Sequence, residues 1–293
     1  MIDTSCRPSI ESDLCSTAFG DRPGRWPLPS AATPHQLWLR AVGAGGQGRY
    51  GSARNDLATL LRSKPSGRLA SLANSTQASF LRQLGWHNLA RGWDGRALAL
   101  AGADREAAAD ALIGLAADAL GVGRLAAAAT LLTRADPMVA EAQPHRLALR
   151  RAWVAAELAM AGGDGATAVR NAEVAVELAA TTVDGSARRR CGPKRPDEEP
   201  GHRVSFRHRA KSDVVLAAAL CSAGAVDRAR AVGEAALQVT GQLGLVPLRW
   251  AVACLLVDLV DSGSPTRPIA ELRDIRDECA GQVRRWGGTW FQH

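Results

Sequence analysis

Five segments of this 293-residue chain align on a glycine followed five residues later by an alanine: Gly48–Ala53, Gly92–Ala97, Gly123–Ala128, Gly163–Ala168 and Gly224–Ala229. Seven residues before each glycine stands another small residue: Ala41, Gly85, Ala116, Ala156 and Ala217. That spacing constrains the fold. A helix that ends in a sharp reversal needs a residue tolerant of positive φ, hence glycine. The returning helix crosses the first one closely only where both present small side chains. One hairpin leaves its apolar face uncovered, so hairpins must stack.

Composition agrees with helices throughout. Hydrophobic residues make up 46% of the chain and aromatics only 4%. Alanine and leucine dominate, and both lose little side-chain entropy in a helix. The expected fold is therefore all-α, an antiparallel helix-hairpin solenoid of about six helix pairs.

The best-formed segment is "GRYGSARNDLATLLRSKP", with Gly48, Tyr50, Ala53, Leu57, Leu60 and the closing Pro65. "LGWHNLARGWDGRALALAG" follows it through Leu84, Gly85, Gly92 and Ala97, and "GAVDRARAVGEAAL" through Gly224, Ala229 and Ala236. The pattern resembles the tetratricopeptide repeat over residues 34–240. The glycine intervals are 44, 31, 40 and 61 residues, against a family period of about 34. The repeats are degenerate, and most lack the large aromatics and the closing proline.

The 61-residue interval has a local cause. "VDGSARRRCGPKRPDEEPGHRVSFRHRAKS" has almost no apolar residues and reads as a flexible basic insertion over 184–211. It carries nine Lys or Arg and four Asp or Glu, so +5 of the whole chain's +7 resides there. Arg188, Arg189, Arg190, Lys194 and Arg195 form a compact cationic cluster and are candidate nucleic-acid contacts. Arg203, Arg207, Arg209 and Lys211 form a second cluster, with Phe206 available to stack on a base. Alternatives are a solvated insertion without a fixed partner, and a zinc site from Cys191, His202 and His208. The last has one cysteine and wide spacing.

Residues 1–33 hold eight Ser or Thr and four Pro and read as a disordered segment without a signal peptide. Residues 34–183 form the main repeat block. Residues 212–286 add further helices and a cap, and 287–293 form a tail with Trp290 and Phe291. No apolar run is long enough to span a bilayer, so the expectation is a cytoplasmic protein without membrane partners. The six cysteines show no paired spacing. No phosphate-binding loop, nucleophile elbow or paired-histidine zinc motif occurs. His87 and Asp94 stand seven apart and share a face only if no turn falls at Gly92, so His87 reads as a polar rim residue and not as a catalytic base. No enzyme activity and no cofactor are expected.

The resemblance implies where a ligand sits. In this family it lies on the concave face, lined by the first helix of each hairpin. Positions carried over are His35, Trp38 and Val42; Ser79, Arg82 and Trp86; Arg150, Trp153 and Glu157; and Lys211, Val214 and Ala218. The expected protein-binding residues are Arg82, Trp86, Arg150, Trp153 and Glu157, since Trp and Arg are the common anchors of binding hot spots. The competing reading packs the tryptophans between neighbouring hairpins. Two function classes follow. One is a scaffold or adaptor that holds a protein or peptide partner. The other is a helical regulatory module whose basic loop touches nucleic acid, although no helix-turn-helix signature is present.

Overall fold

A computed structural model of the chain describes residues 9–141, 145–187, 205–259 and 267–291. Thirteen helices and no strand occur among them. Helix α1 (Ile10–Phe19) precedes six hairpins. These are α2 (Pro34–Gly46) with α3 (Tyr50–Arg62), α4 (Gly67–Gln83) with α5 (His87–Ala101), and α6 (Arg105–Gly121) with α7 (Leu125–Glu141). The series continues with α8 (His145–Ala161) and α9 (Gly165–Ala187), α10 (Phe206–Ser222) and α11 (Val226–Gln242), and α12 (Val246–Asp258) and α13 (Ile269–Arg285). The fold is the expected all-α stack of antiparallel hairpins, with one helix more than six pairs supply.

Five hairpins turn in the same way. The glycine takes positive φ, between 74° and 88°, at Gly48, Gly85, Gly123, Gly163 and Gly224. The next residue's N–H then bonds back across the turn. Arg49 donates to the Ala44 carbonyl at 2.9 Å, Trp86 to Leu81 at 2.9 Å, Arg124 to Ala119 at 2.8 Å, Asp164 to Ala159 at 2.9 Å and Ala225 to Leu220 at 2.9 Å. This left-handed closure satisfies carbonyls that the end of a helix would otherwise leave unpaired.

One repeat sits in a different register from the one the spacing suggests. The second turn is at Gly85, and Gly92 lies on the exposed side of α5 with open space around it. Aligned on Gly85, the flanking small residues become Ala78 and Ala90. The intervals become 37, 38, 40 and 61 residues, closer to a fixed period. In this register all ten flanking alanines (41, 53, 78, 90, 116, 128, 156, 168, 217 and 229) are fully buried. They are the crossing points where paired helices approach.

Two expected boundaries also change. Residues 9–33 are packed, not disordered. Ser9 caps α1 by accepting from the Ser12 N–H at 3.1 Å, and Leu14 and Ala18 are buried in the same core cluster as Leu39, Tyr50 and Leu57. The second cationic cluster belongs partly to a helix. Ser205 caps α10, and Arg207, Arg209 and Lys211 lie on it. Helix α9 continues to Ala187. The span of 184–211 between helices is therefore at most 188–205.

The stack curves until its end meets its beginning. Val246, Cys279 and Val283 of the last hairpin share a core cluster with α1, α2, α3 and α4. Backbone completes the join. The Gly51 N–H donates to the Trp286 carbonyl at 2.7 Å, and the Phe291 N–H to the Leu84 carbonyl at 2.8 Å. Arg54 reaches the Gly287 carbonyl at 3.1 Å. The first helices of successive hairpins, α2, α4, α6, α8, α10 and α12, line the inside of this closed arrangement, since each packs on the next.

Candidate functional site

The inner face is built from charged and aromatic side chains on those helices. Arg82 on α4 bonds the carboxylates of Asp94 on α5 and Asp118 on α6, the latter at 2.9 Å, and also reaches the Gly114 carbonyl at 3.3 Å. Both carboxylates are fully buried. Gly114 makes room: a Cβ there would sit 2.3 Å from an Asp94 oxygen. Burial raises the pKa of Asp94, and the nearby Asp118 charge adds to that, while Arg82 opposes it. Burial raises Asp118 as well. Arg82 is thus a buried tie between two hairpins and not a free anchor for a partner.

About two turns before Asp118 on α6, Asp110 receives two guanidiniums from α8. Arg146 lies at 3.0 Å, and Arg150 bonds the same oxygen. Burial alone would raise the Asp110 carboxyl, but Arg146 and Arg150 outweigh it and hold it below the usual carboxylate range. Arg150 therefore also serves the stack. Asp110, Gly114 and Asp118 are spaced four apart, one face of one helix. Isolated acids at that spacing within "AAADALIGLAADALG" were the available signal for these ties, and sequence reasoning passed over them.

Trp153 is core. It is 9% exposed, its indole N–H donates to Ser212 Oγ at 2.9 Å, and Ser212 Oγ donates to the Ala175 carbonyl at 3.2 Å. One tryptophan thereby links α8, α9 and α10. Its ring meets His208 edge-on, with centroids 5.6 Å apart. Glu157 is paired with Lys211 at 3.0 Å. Trp86 lies under the tail, donating to the Thr289 carbonyl at 2.7 Å and packing edge-on against Phe291. Trp38 is buried and donates to Thr76 Oγ1 at 3.0 Å. Of the five expected anchors, Arg82 and Trp153 are withdrawn from any partner, and the other three already have partners within the chain.

The inner face is occupied. Phe19, at the end of α1, lies 5.5 Å from Trp38 on α2 and 6.2 Å from His208 on α10, measured between ring centroids. The guanidinium carbons of Arg146 on α8 and Arg207 on α10 each lie 5.9 Å from its centre. Helices this far apart in the chain meet one ring only at the middle of the closed stack. The Phe206 N–H donates to the Gly20 carbonyl at 3.1 Å, and Arg207 donates to the Val42 carbonyl at 3.2 Å. Burial, with Arg207, Arg146 and Arg150 around it, pushes His208 well below its ordinary value, so its imidazole is neutral.

His208 is thus held between two aromatic rings. Its proposed zinc partners Cys191 and His202 lie outside the described residues, as do Arg188, Arg189, Arg190, Lys194 and Arg195. No group of three or more His, Cys, Asp or Glu suited to a metal occurs among the described residues. Burial pushes the Cys254 and Cys279 thiols up to about 11, which leaves both protonated and poorly nucleophilic. No described helix is long and apolar enough to cross a membrane. No protein-family model and no curated protein matches the chain.

Proposed function

We propose that the protein is a non-enzymatic helical-repeat adaptor that holds a helical segment of a partner protein against its inner face. One observation carries this reading. The face already holds a helix, α1, whose terminal Phe19 is bracketed by aromatic and cationic side chains of α2, α8 and α10. The site therefore suits an amphipathic helix ending in an aromatic residue, with an acid placed to face Arg207. The acids of α1 are used elsewhere: Glu11 lies 3.2 Å from His35, and Asp13 pairs with Arg25 at 2.6 Å. Arg82, Asp118, Arg146, Arg150 and Asp110 inside the stack are tied in ion pairs that join hairpins, which agrees with a structural use of charge.

In this reading α1 occupies the partner's place and must be displaced. Phe19→Ala should loosen α1 and raise the amount of protein captured from the native cell, with nuclease treatment making no difference. Capture unchanged by Phe19→Ala would overturn the reading. Capture abolished by nuclease would point instead to a regulatory module whose basic residues near 188–195 contact nucleic acid.

A further inference from the structure

Where the last hairpin meets the first, the seam leaves a partly open pocket of about 270 Å³. Its walls include Gln47 and Arg49 from the first turn, Arg249 from α12, and Glu278, Gln282 and Trp286 from α13 and its end. Two arginines from different hairpins therefore line one pocket. The carbon of the Arg49 guanidinium lies 4.0 Å from the ring centre of Trp26 and 4.0 Å from that of Trp286. The cation is clamped between two indoles, which fixes the plane of its fork. Burial lowers Arg49 from its ordinary value, and no carboxylate counters that effect.

Each of the two arginines keeps one unsatisfied buried donor among the described residues. Arg49 Nε and Arg249 Nε are buried without a hydrogen-bond acceptor. Neither guanidinium forms an ion pair among the described residues, in a chain where Arg82, Arg146, Arg150 and Arg267 all do. The single acid on the wall, Glu278, is exposed and accepts from Gln282 at 3.1 Å. A buried cationic donor without an acceptor is costly unless something supplies one. The wall therefore offers two guanidinium-bearing side chains against one exposed carboxylate, a net positive charge.

We infer that this seam pocket binds a small oxyanion ligand of the phosphate class, either free phosphate or the phosphate group of a small ester. Two forks arriving from different hairpins offer more donors than one carboxylate can accept, whereas the oxygens of a phosphate can take both. The volume admits a phosphate and a few further heavy atoms. The ligand touches the first and the last hairpin at once, so it fastens the seam and stabilises the closed state by mass action.

The test uses the full-length protein and inorganic phosphate, titrated by calorimetry and thermal melting against chloride at matched ionic strength. Saturable one-site binding is expected, with the melting temperature raised by roughly 2–6 °C at saturation. Arg249→Lys keeps the charge and removes the fork, and should raise the phosphate Kd at least tenfold with helicity unchanged. Arg49→Lys should do the same. If losing the indole clamp unfolds it, Arg249→Lys decides alone. Unaltered affinity in Arg249→Lys would assign binding to the basic residues near 188–211 and overturn the inference, as would an effect that never saturates. A small phosphate ester that binds more tightly than phosphate itself identifies the ester as the natural source. Phe19→Ala should bind phosphate like the wild type, so this result stands or falls separately from the inner-face proposal.

Discussion

Single residues carry the joins between hairpins, and their chemistry sets what mutation does. Trp153 fills space among α8, α9 and α10 and satisfies Ser212. Trp153→Ala should cost about 3–5 kcal/mol in chemical denaturation, and a melt near that of the wild type would return Trp153 to the surface. The buried acids respond to pH in opposite senses. Asp110 is held below its unfolded pKa, so its contribution is present above that value and is lost as pH falls through the folded one. Asp110→Asn should remove that part of the acid limb. Asp94 is raised above its unfolded value of 3.8, so its contribution is present below 3.8 and lost as pH rises through its folded pKa. Relative to the wild type, Asp94→Asn should therefore fare better near neutrality than at pH 4. Stability curves of the two variants over pH 3–8, read against the wild type, check both signs.

At the scale of helices and turns, two glycines seven residues apart are the sharpest comparison. Gly85 takes φ of 88° at the turn, while Gly92 is exposed in the interior of α5 with nothing near its missing Cβ. Gly92→Ala should stabilise by about 0.5–1 kcal/mol. Gly85→Ala should destabilise by roughly 1–2 kcal/mol, and its Cβ would also crowd Phe291. Thermal melts of the pair decide the register, and reversed signs would restore Gly92 as the turn. This contrast also marks how far the sequence could be read. Hairpins were legible because turn glycines and crossing alanines lie within a dozen residues of each other. The choice between Gly85 and Gly92 was not, because both satisfy the local spacing and only packing separates them. Arg82 looked like a surface anchor because its carboxylates stand 12 and 36 residues away. Helix α1 looked disordered because it is rich in serine and threonine, and what orders it is contact with α2 and α10.

For the whole molecule, closure is the property that local pattern says least about. Trp86 and Thr289 bond across 203 residues, and Arg54 and Gly287 across 233. The tail makes much of that contact: Trp290 stacks on Trp250 with centroids 4.3 Å apart, and Gly288 packs on Tyr50. Deleting residues 287–293 should lower the melting temperature by several degrees and enlarge the radius of gyration measured by small-angle scattering. Unchanged dimensions would mean that the helices alone hold the ends together.

A stack with free ends behaves as a spring. Each interface between hairpins yields a little, and the sum changes the curvature of the whole. Joining the ends turns the spring into a hoop, whose bore cannot widen unless the seam parts or its contents leave. Phe19 sits in the bore, and Arg49, with its two indoles, sits in the seam. Widening of the hoop is then a mechanical matter, governed by whichever of those two fastenings gives way first.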